Sequence, residues 1–225
     1  MEFLSRAIPL YGDGGAESLL GARVCVFGLG GVGAACAEAL IRAGVGSLVF
    51  VDGDVFSVTN QNRQLYATSA TLGENKAAVA ARRAKEINPA CSASACEAFY
   101  RVGDAFDFSD VDFICDCIDD VPAKLDLIRR ATEENVPIIS AMGAGGKMDP
   151  TRFSVADISK THTCPLAKKM RTELRKMGIL HLPVVFSDEV SAVVTTPPSS
   201  VSFVPPVMGF VMAGYVVKTL LNKEE

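Results

Sequence analysis

Short apolar runs alternate with longer stretches of helical periodicity through most of this chain. Val24–Gly28 is an apolar run that ends in glycines, and Val32–Ala43 follows as an alanine-rich helix closed by Gly44 and Gly46. Ser47–Val51 predicts a second strand ending at Asp52, so residues 24–52 read as a strand–helix–strand unit. Asn75–Ile87 predicts a helix with Pro89 just past its end. Val111–Ile118 predicts a strand, Pro122–Asn135 a helix and Val136–Met142 a further strand. Such alternation implies an α/β fold: a Rossmann-like, mostly parallel sheet with helices on both faces.

The last third changes character. Phe153–Ile158 and Leu182–Phe186 predict strands, Pro165–Met177 a charged helix with proline in its first turn, and Ser187–Pro198 a polar loop. Val201–Leu221 is apolar and of a length that reaches across a bilayer. Pro205 and Pro206 break its first third, and Gly209 and Gly214 weaken the rest. A buried or interface helix starting after Pro206 is expected there, without a stable membrane span. No stretch has the composition of a linker, so residues 1–225 are expected to form one domain with a loop-rich C-terminal part.

Composition narrows the function classes. A chain of 225 residues, 49% hydrophobic and 21% charged, suits one packed core. Its net charge of −4 does not suit a protein that does nothing but bind nucleic acid, although a local basic patch remains compatible with it. Seven cysteines with no C-x-x-C pair, most of them inside apolar runs (Cys25, Cys36, Cys115, Cys117), read as reduced thiols rather than a disulfide framework or a zinc site. Met1–Leu10 has no long apolar core with a cleavage site, and a cytoplasmic location is expected.

The candidate chemistry begins at Gly28-Leu-Gly30-Gly31-Val-Gly33, a G-x-G-x-x-G loop placed between a strand and a helix. Glycines there let backbone N–H groups approach a phosphate at a helix N-terminus, where the dipole favours an anion. Asp52 ends the next strand, where a carboxylate can hold ribose hydroxyls. Asp54, Asn60, Asn62, Arg63 and Gln64 follow in a polar loop, and Lys76 sits at the start of a helix. A nicotinamide enzyme has no need of these extra cations; a triphosphate does, because phosphoryl oxygens displaced in a reaction need Arg and Lys. Asp119 and Asp120 follow the strand Val111–Ile118 at the end where ligands of such sheets bind, and a carboxylate beside phosphates is a natural Mg²⁺ anchor.

Taken in order, Gly28–Gly33, Asp52-Gly-Asp54, Asn60-Gln-Asn-Arg63-Gln64, Gly73-Glu-Asn-Lys76 and Cys117-Ile-Asp119 resemble the adenylation domain of the ThiF/MoeB/HesA family, the ancestral type of ubiquitin-activating enzymes. The resemblance implies ATP as cofactor, ribose held at Asp52, phosphates at Arg63 and Lys76, and Mg²⁺ at Asp119. It also implies a homodimer, in which an arginine near the N-terminus, here Arg6, reaches the phosphates of the partner subunit. A monovalent cation beside the site is compatible with this reading.

Within the family, Gly143-Ala-Gly-Gly146, Asp149-Pro150, Asp157-Ile-Ser-Lys160-Thr161, Pro165-Leu-Ala167, Val185-Phe-Ser187 and Ser202-Phe-Val-Pro205-Pro206 resemble the tRNA threonylcarbamoyladenosine dehydratases. That resemblance implies adenylation of a threonine carboxylate on a modified adenosine, then ring closure with loss of AMP. The helix Pro165–Met177 supports a tRNA partner independently: Lys168, Arg171 and Arg175 fall on one face, Lys169 and Lys176 lie beside them, and Glu173 is its only acid. Lys147, Arg152 and Lys160 are positioned in sequence to extend that patch, although a charge run is as often a solvated helix face. Cys164 at the start of this helix is read as a residue without chemistry, since ring closure needs no thiol. His162 and His181 earn no catalytic role.

Three other readings stay open on the residues alone. One is activation of the C-terminus of a ubiquitin-like sulfur carrier, with a carrier or a cysteine-desulfurase-linked protein as partner. Another is an NAD-dependent oxidoreductase, which leaves Arg63, Lys76 and Asp119 without a role. The third is a nucleotide-binding module lacking chemistry.

Overall fold

The computed structural model describes residues 2–12, 14–191, 193 and 195–221. Among these, seven strands form one sheet: β1 (Arg23–Phe27), β2 (Ser47–Val51), β3 (Ser92–Cys96), β4 (Phe113–Asp116), β5 (Ile138–Ala141), β6 (Phe153–Asp157) and β7 (Pro183–Ser187). Their order is β3-β2-β1-β4-β5-β7-β6, all parallel except β6, which runs antiparallel to β7. From β1 the chain goes outward through β2 and β3, then returns to the other side of β1 at β4. The carboxyl ends of β1 and β4 therefore part into a crevice, the topological switch point where such sheets bind ligands.

The helices are α1 (Ile8–Tyr11), α2 (Gly15–Gly21), α3 (Gly31–Ala43), α4 (Lys76–Ile87), α5 (Val121–Glu133), α6 (Pro165–Lys176) and α7 (Val204–Leu221). One core layer joins α3, α4 and α7 to the sheet through Leu40, Ala80, Met208 and Val216. The other joins α5 and α6 through Leu127, Ile128, Met170 and Leu174, with Phe27, Tyr100, Phe106 and Phe108 in edge-on or tilted contact at its end. Covering on both faces explains why β1, β4 and β5 read as continuous apolar runs.

Three elements depart from the sequence reading. β3, with its small residues Ser92-Ala-Ser-Ala-Cys96, shows no apolar alternation; it is a strand because it pairs in register with β2, Ser47 opposite Ser92 through Val51 opposite Cys96. α7 starts at Val204, so Pro205 and Pro206 occupy its first turn, where backbone N–H groups have no helical partner to lose. Gly209 does not weaken α7 but lets it cross α3: a Cβ there would lie 2.2 Å from the Val32 carbonyl oxygen. α7 is long and apolar enough to cross a membrane, yet 44% of it is buried within the protein. Finally, Asn75 lies outside α4 as its cap, its side-chain oxygen accepting from the N–H groups of Ala77 and Ala78 at 2.8 and 3.1 Å.

Candidate active site

A cleft of about 920 Å³ opens at the carboxyl ends of the central strands. Ligand pockets typically span ~300–1,000 Å³, so this one has room for a nucleotide together with a second small group. Its nucleotide-facing half is built on β1, β2 and β4.

Gly28 has φ +85°, and a Cβ on it would sit 2.7 Å from the Cys117 carbonyl oxygen. Only glycine fits where the β1 and β4 ends come this close. Gly28, Gly30 and Gly31 line the cleft. Gly30 caps α3 without a side chain, leaving the first-turn N–H groups facing the opening. Gly33 does not line the cleft. A Cβ there would lie 1.7 Å from the Gly28 carbonyl oxygen, so the fourth glycine is required by helix-to-loop packing and not by ligand contact.

Asp52 is buried, and its carboxylate accepts from the Leu29 N–H at 2.6 Å and the Asp54 N–H at 2.8 Å. It therefore sews the end of β2 to the glycine loop and still borders the cleft with its flank. Lys76 is buried; its Nζ meets Asp54 Oδ2 at 2.5 Å and lies 5.9 Å from the centre of the Phe56 ring. Burial works to raise the Asp54 carboxyl, but the bonded Lys76 ammonium outweighs it and holds that group below the usual carboxylate range. Arg63 is half-buried at the cleft wall, its guanidinium steadied by the Thr59 carbonyl at 2.8 Å and Asn62 Oδ1 at 2.9 Å. Gln64 lines the same wall with a buried Oε1 that has no hydrogen-bond partner.

Asn60 is a correction. It is buried away from the cleft, where its Oδ1 accepts from the Ser57 N–H at 3.0 Å and holds a 3₁₀ turn, so it shapes the loop that carries Arg63.

Asp119 is exposed at the cleft edge, and its side chain takes no hydrogen bond from the described residues. Its neighbour Asp120 caps α5, accepting from the Ala123 N–H at 2.9 Å. Beneath them lies a network that sequence reasoning missed. Asp116 and Lys124 are both fully buried and meet at 2.9 Å; Ser140 Oγ donates to Asp116 at 2.6 Å; Lys124 Nζ also donates to the Ile118 carbonyl at 2.9 Å, and the Ile118 N–H to Asp116 at 3.1 Å. These bonds grip Ile118 from both sides and so fix the loop that presents Asp119. A signal was available: Lys124 shares the buried stripe of α5 with Leu127, Ile128 and Ala131, a place where a lysine needs a partner.

The other half of the cleft is built on β5 and the C-terminal loops: Met142–Lys147, Cys164–Leu166, Ser191, Val193, Thr195, Pro198 and Ser199. Phe99, Tyr100 and Arg101, just past β3, also reach the cleft and were not singled out from sequence. Cys117 lines the cleft, but burial pushes its thiol well above the ordinary range, which makes it a poor nucleophile. Cys164 is buried in the wall. His162 is exposed against the edge of Phe186, and His181 meets Asp157 at 3.2 Å. Arg6 is exposed and does not border this cleft.

α6 starts in the cleft at Pro165 and Leu166 and shows Lys168, Lys169 and Arg175 to solvent. Arg171 is corrected: its guanidinium turns to the Thr161 carbonyl and hydroxyl at 2.9 and 2.5 Å, so it braces the preceding loop. Lys147 is buried, which removes it from the exposed patch; Arg152 stays exposed, with its charge paired to Asp188 at 2.7 Å. Lys160 remains exposed.

The chain is similar throughout its length to characterised proteins. It is 42% identical over 235 residues to the tRNA threonylcarbamoyladenosine dehydratase of Bacillus subtilis, covering 95% of this chain and 92% of that one. The enzyme of that name in Escherichia coli is 37% identical over 190 residues, 80% of this chain and 71% of its own. The crystal structure of the Escherichia coli enzyme in complex with ATP superposes with a TM-score of 0.93 at 33% identity, covering 99% of this chain and 95% of that one. The ThiF family model matches residues 4–225, so this chain, with its glycine loop, cations and carboxylates gathered at the switch point, belongs to the ThiF family.

Proposed function

We propose that this chain is an ATP-dependent tRNA threonylcarbamoyladenosine dehydratase. The observation that carries the reading is the position of α6. Its first turn forms cleft wall, and its next turns present Lys168, Lys169 and Arg175 outward, so a polyanion lying on this face delivers a bound group into the cleft. Similarity to dehydratases over nearly the whole chain supports the same reading.

In the proposed reaction the threonine carboxylate oxygen attacks the α-phosphorus of ATP and pyrophosphate leaves. A nucleophile of the same modified base then attacks the acyl carbon, and AMP leaves as the ring closes. The second step is intramolecular, so holding the base in place does much of the work. Asp52 and the glycine loop orient ribose and α-phosphate; Arg63 and Lys76 take the charge of the departing pyrophosphate. Of the exposed carboxylates that line the cleft, Asp54 is paired with Lys76 and Asp120 caps α5, which leaves Asp119 as the one that would hold Mg²⁺, an ion that otherwise takes phosphate oxygens and water. When bound, it neutralises phosphate charge.

Pyrophosphate exchange into ATP tests this. Exchange should rise with tRNA carrying threonylcarbamoyladenosine, and not with a ubiquitin-like carrier protein. Stimulation by the carrier alone moves the chain to the sulfur-carrier branch; no exchange with either removes adenylation.

We further infer a cytoplasmic homodimer, with residues 1–225 of each copy as one domain. Phe203, Val207, Phe210, Gly214, Val217 and Leu221 recur at helical spacing as an exposed or half-exposed apolar stripe, with Phe203 at 46% and Phe210 at 47% exposure. Arg6 lies outside its own cleft, so a second copy is what would bring it to a nucleotide. Sedimentation at micromolar concentration should give twice the chain mass; a monomer with full turnover would falsify the pairing.

A further inference from the structure

Three lysines among the described residues are buried: Lys76, Lys124 and Lys147, at 5%, 0% and 4% exposure. A buried ammonium is costly unless a counter-charge and hydrogen bonds compensate it. Lys76 has Asp54 at 2.5 Å and Lys124 has Asp116 at 2.9 Å. Lys147 differs. Its Nζ donates to the Glu189 backbone carbonyl at 2.6 Å, a neutral acceptor, and no carboxylate of the described residues lies within salt-bridge distance. The nearby Glu189 side chain is already committed, its two oxygens accepting the N–H groups of Met148 and Asp149 at 2.8 and 3.0 Å.

Lys147 also lines the cleft, in the half built on β5. The loop that carries it is tightly determined. Gly146 has φ +72°, and a Cβ there would lie 2.7 Å from the Val193 carbonyl oxygen; a Cβ on Gly145 would lie 2.7 Å from Pro198 Cβ; the Gly146 N–H donates to the Ser199 carbonyl at 2.8 Å. Val193, Pro198 and Ser199 are thus laid directly on the Gly143–Gly146 turn, and these contacts fix where Lys147 emerges. In the proposed reaction the phosphate charge falls to the glycine loop, Arg63 and Lys76, which line the β1–β2 side of the cleft.

We infer that Lys147 is the binding residue for the carboxylate of the acyl substrate, the missing counter-charge being supplied by the substrate itself. The inference rests on the dehydratase reading and adds to it the group that recognises the reacting carboxylate. A point-like ammonium with two N–H bonds left over after Glu189 can hold one carboxylate oxygen and leave the other free to attack phosphorus. The lysine then selects for a free acid: an ester or amide of the same modified base brings no charge to it.

The experiment is tRNA-dependent pyrophosphate exchange by the wild-type protein, Lys147→Met and Lys147→Arg at saturating ATP, with thermal unfolding of each. Charge-assisted bonds of this kind correspond to roughly 10-fold to 100-fold in binding, so Lys147→Met should raise the tRNA concentration for half-maximal exchange at least about tenfold. The KM for ATP should stay within about twofold, and Lys147→Arg should recover part of the tRNA affinity but not the maximal exchange rate, because a guanidinium fork engages both carboxylate oxygens. As a second readout, tRNA whose threonine carboxylate is converted to its amide should inhibit the wild-type protein more weakly than the acid binds, and Lys147→Met should no longer distinguish acid from amide. Unchanged tRNA dependence in Lys147→Met overturns the inference. So does an equal rise in both KM values with a lowered melting temperature, which reduces the lysine to a tie on Glu189. If the wild-type protein itself shows no tRNA-stimulated exchange, the dehydratase reading fails first and takes this inference with it.

Discussion

Asp119→Ala should reduce tRNA-stimulated pyrophosphate exchange by roughly 10²–10³-fold, the scale of losing one electrostatic stabiliser of a transition state. It should do so without harming the fold. Asp119 is exposed and its side chain takes no hydrogen bond from the described residues, so its removal should change unfolding free energy by no more than about 0.5 kcal/mol. Separation of the two effects is the diagnostic. A carboxylate left without a hydrogen bond from the described residues at the edge of the cleft is available to a ligand, whereas a structural acid is bonded, as Asp120 is to the Ala123 N–H. Exchange and thermal unfolding measured on the same preparation decide it. Exchange at the wild-type rate removes Asp119 from the site; a melting temperature several degrees lower makes it structural after all.

Lys124→Met should have the opposite profile, a large loss of stability that carries activity down with it. Both members of the Asp116–Lys124 pair are fully buried, and removing one partner leaves a bare carboxylate in the core with only Ser140 and the Ile118 N–H to serve it. Breaking a buried pair in this way costs about 3–5 kcal/mol. For a chain of this size each kcal/mol lowers the melting temperature by roughly 2–4 °C, so a fall of about 6–20 °C is expected. Replacing both partners, Asp116→Val with Lys124→Met, should recover a substantial part of that stability, because no charge is then stranded. It should not recover full exchange, since the Ile118 carbonyl also loses its donor and the loop bearing Asp119 is no longer gripped. Denaturant titration of the single and double variants measures the coupling; a single variant within about 1 kcal/mol of wild type would show that water or rearrangement already compensates Asp116.

The strand–helix–strand opening, the glycine loop, Arg63, Lys76 and the acid Asp119 were legible in the sequence, because each depends on local rules. Helical and strand periodicities are set by burial of one face, and a glycine loop between strand and helix is a short-range motif. β3 was not legible: Ser92–Cys96 has no apolar pattern, and only pairing with β2 makes it a strand. Pro205 and Pro206 were misread as breakers because first-turn prolines look the same in sequence as interior ones, and the difference lies in where Val204 starts α7. Asn60 and Arg171 carry plausible ligand-binding side chains, and only the folded loops show them turned to Ser57 and Thr161.

What the sequence determined by itself is therefore the α/β class, the glycine loop and the charged residues from which a triphosphate site is proposed. Tertiary structure decided which polar groups are already satisfied by the protein and which are left for a ligand. That distinction has a physical basis. Side-chain chemistry is written residue by residue, but the balance of buried charge exists only once distant segments meet: Asp116 of β4 answers Lys124 of α5, and no carboxylate of the described residues lies within salt-bridge distance of Lys147.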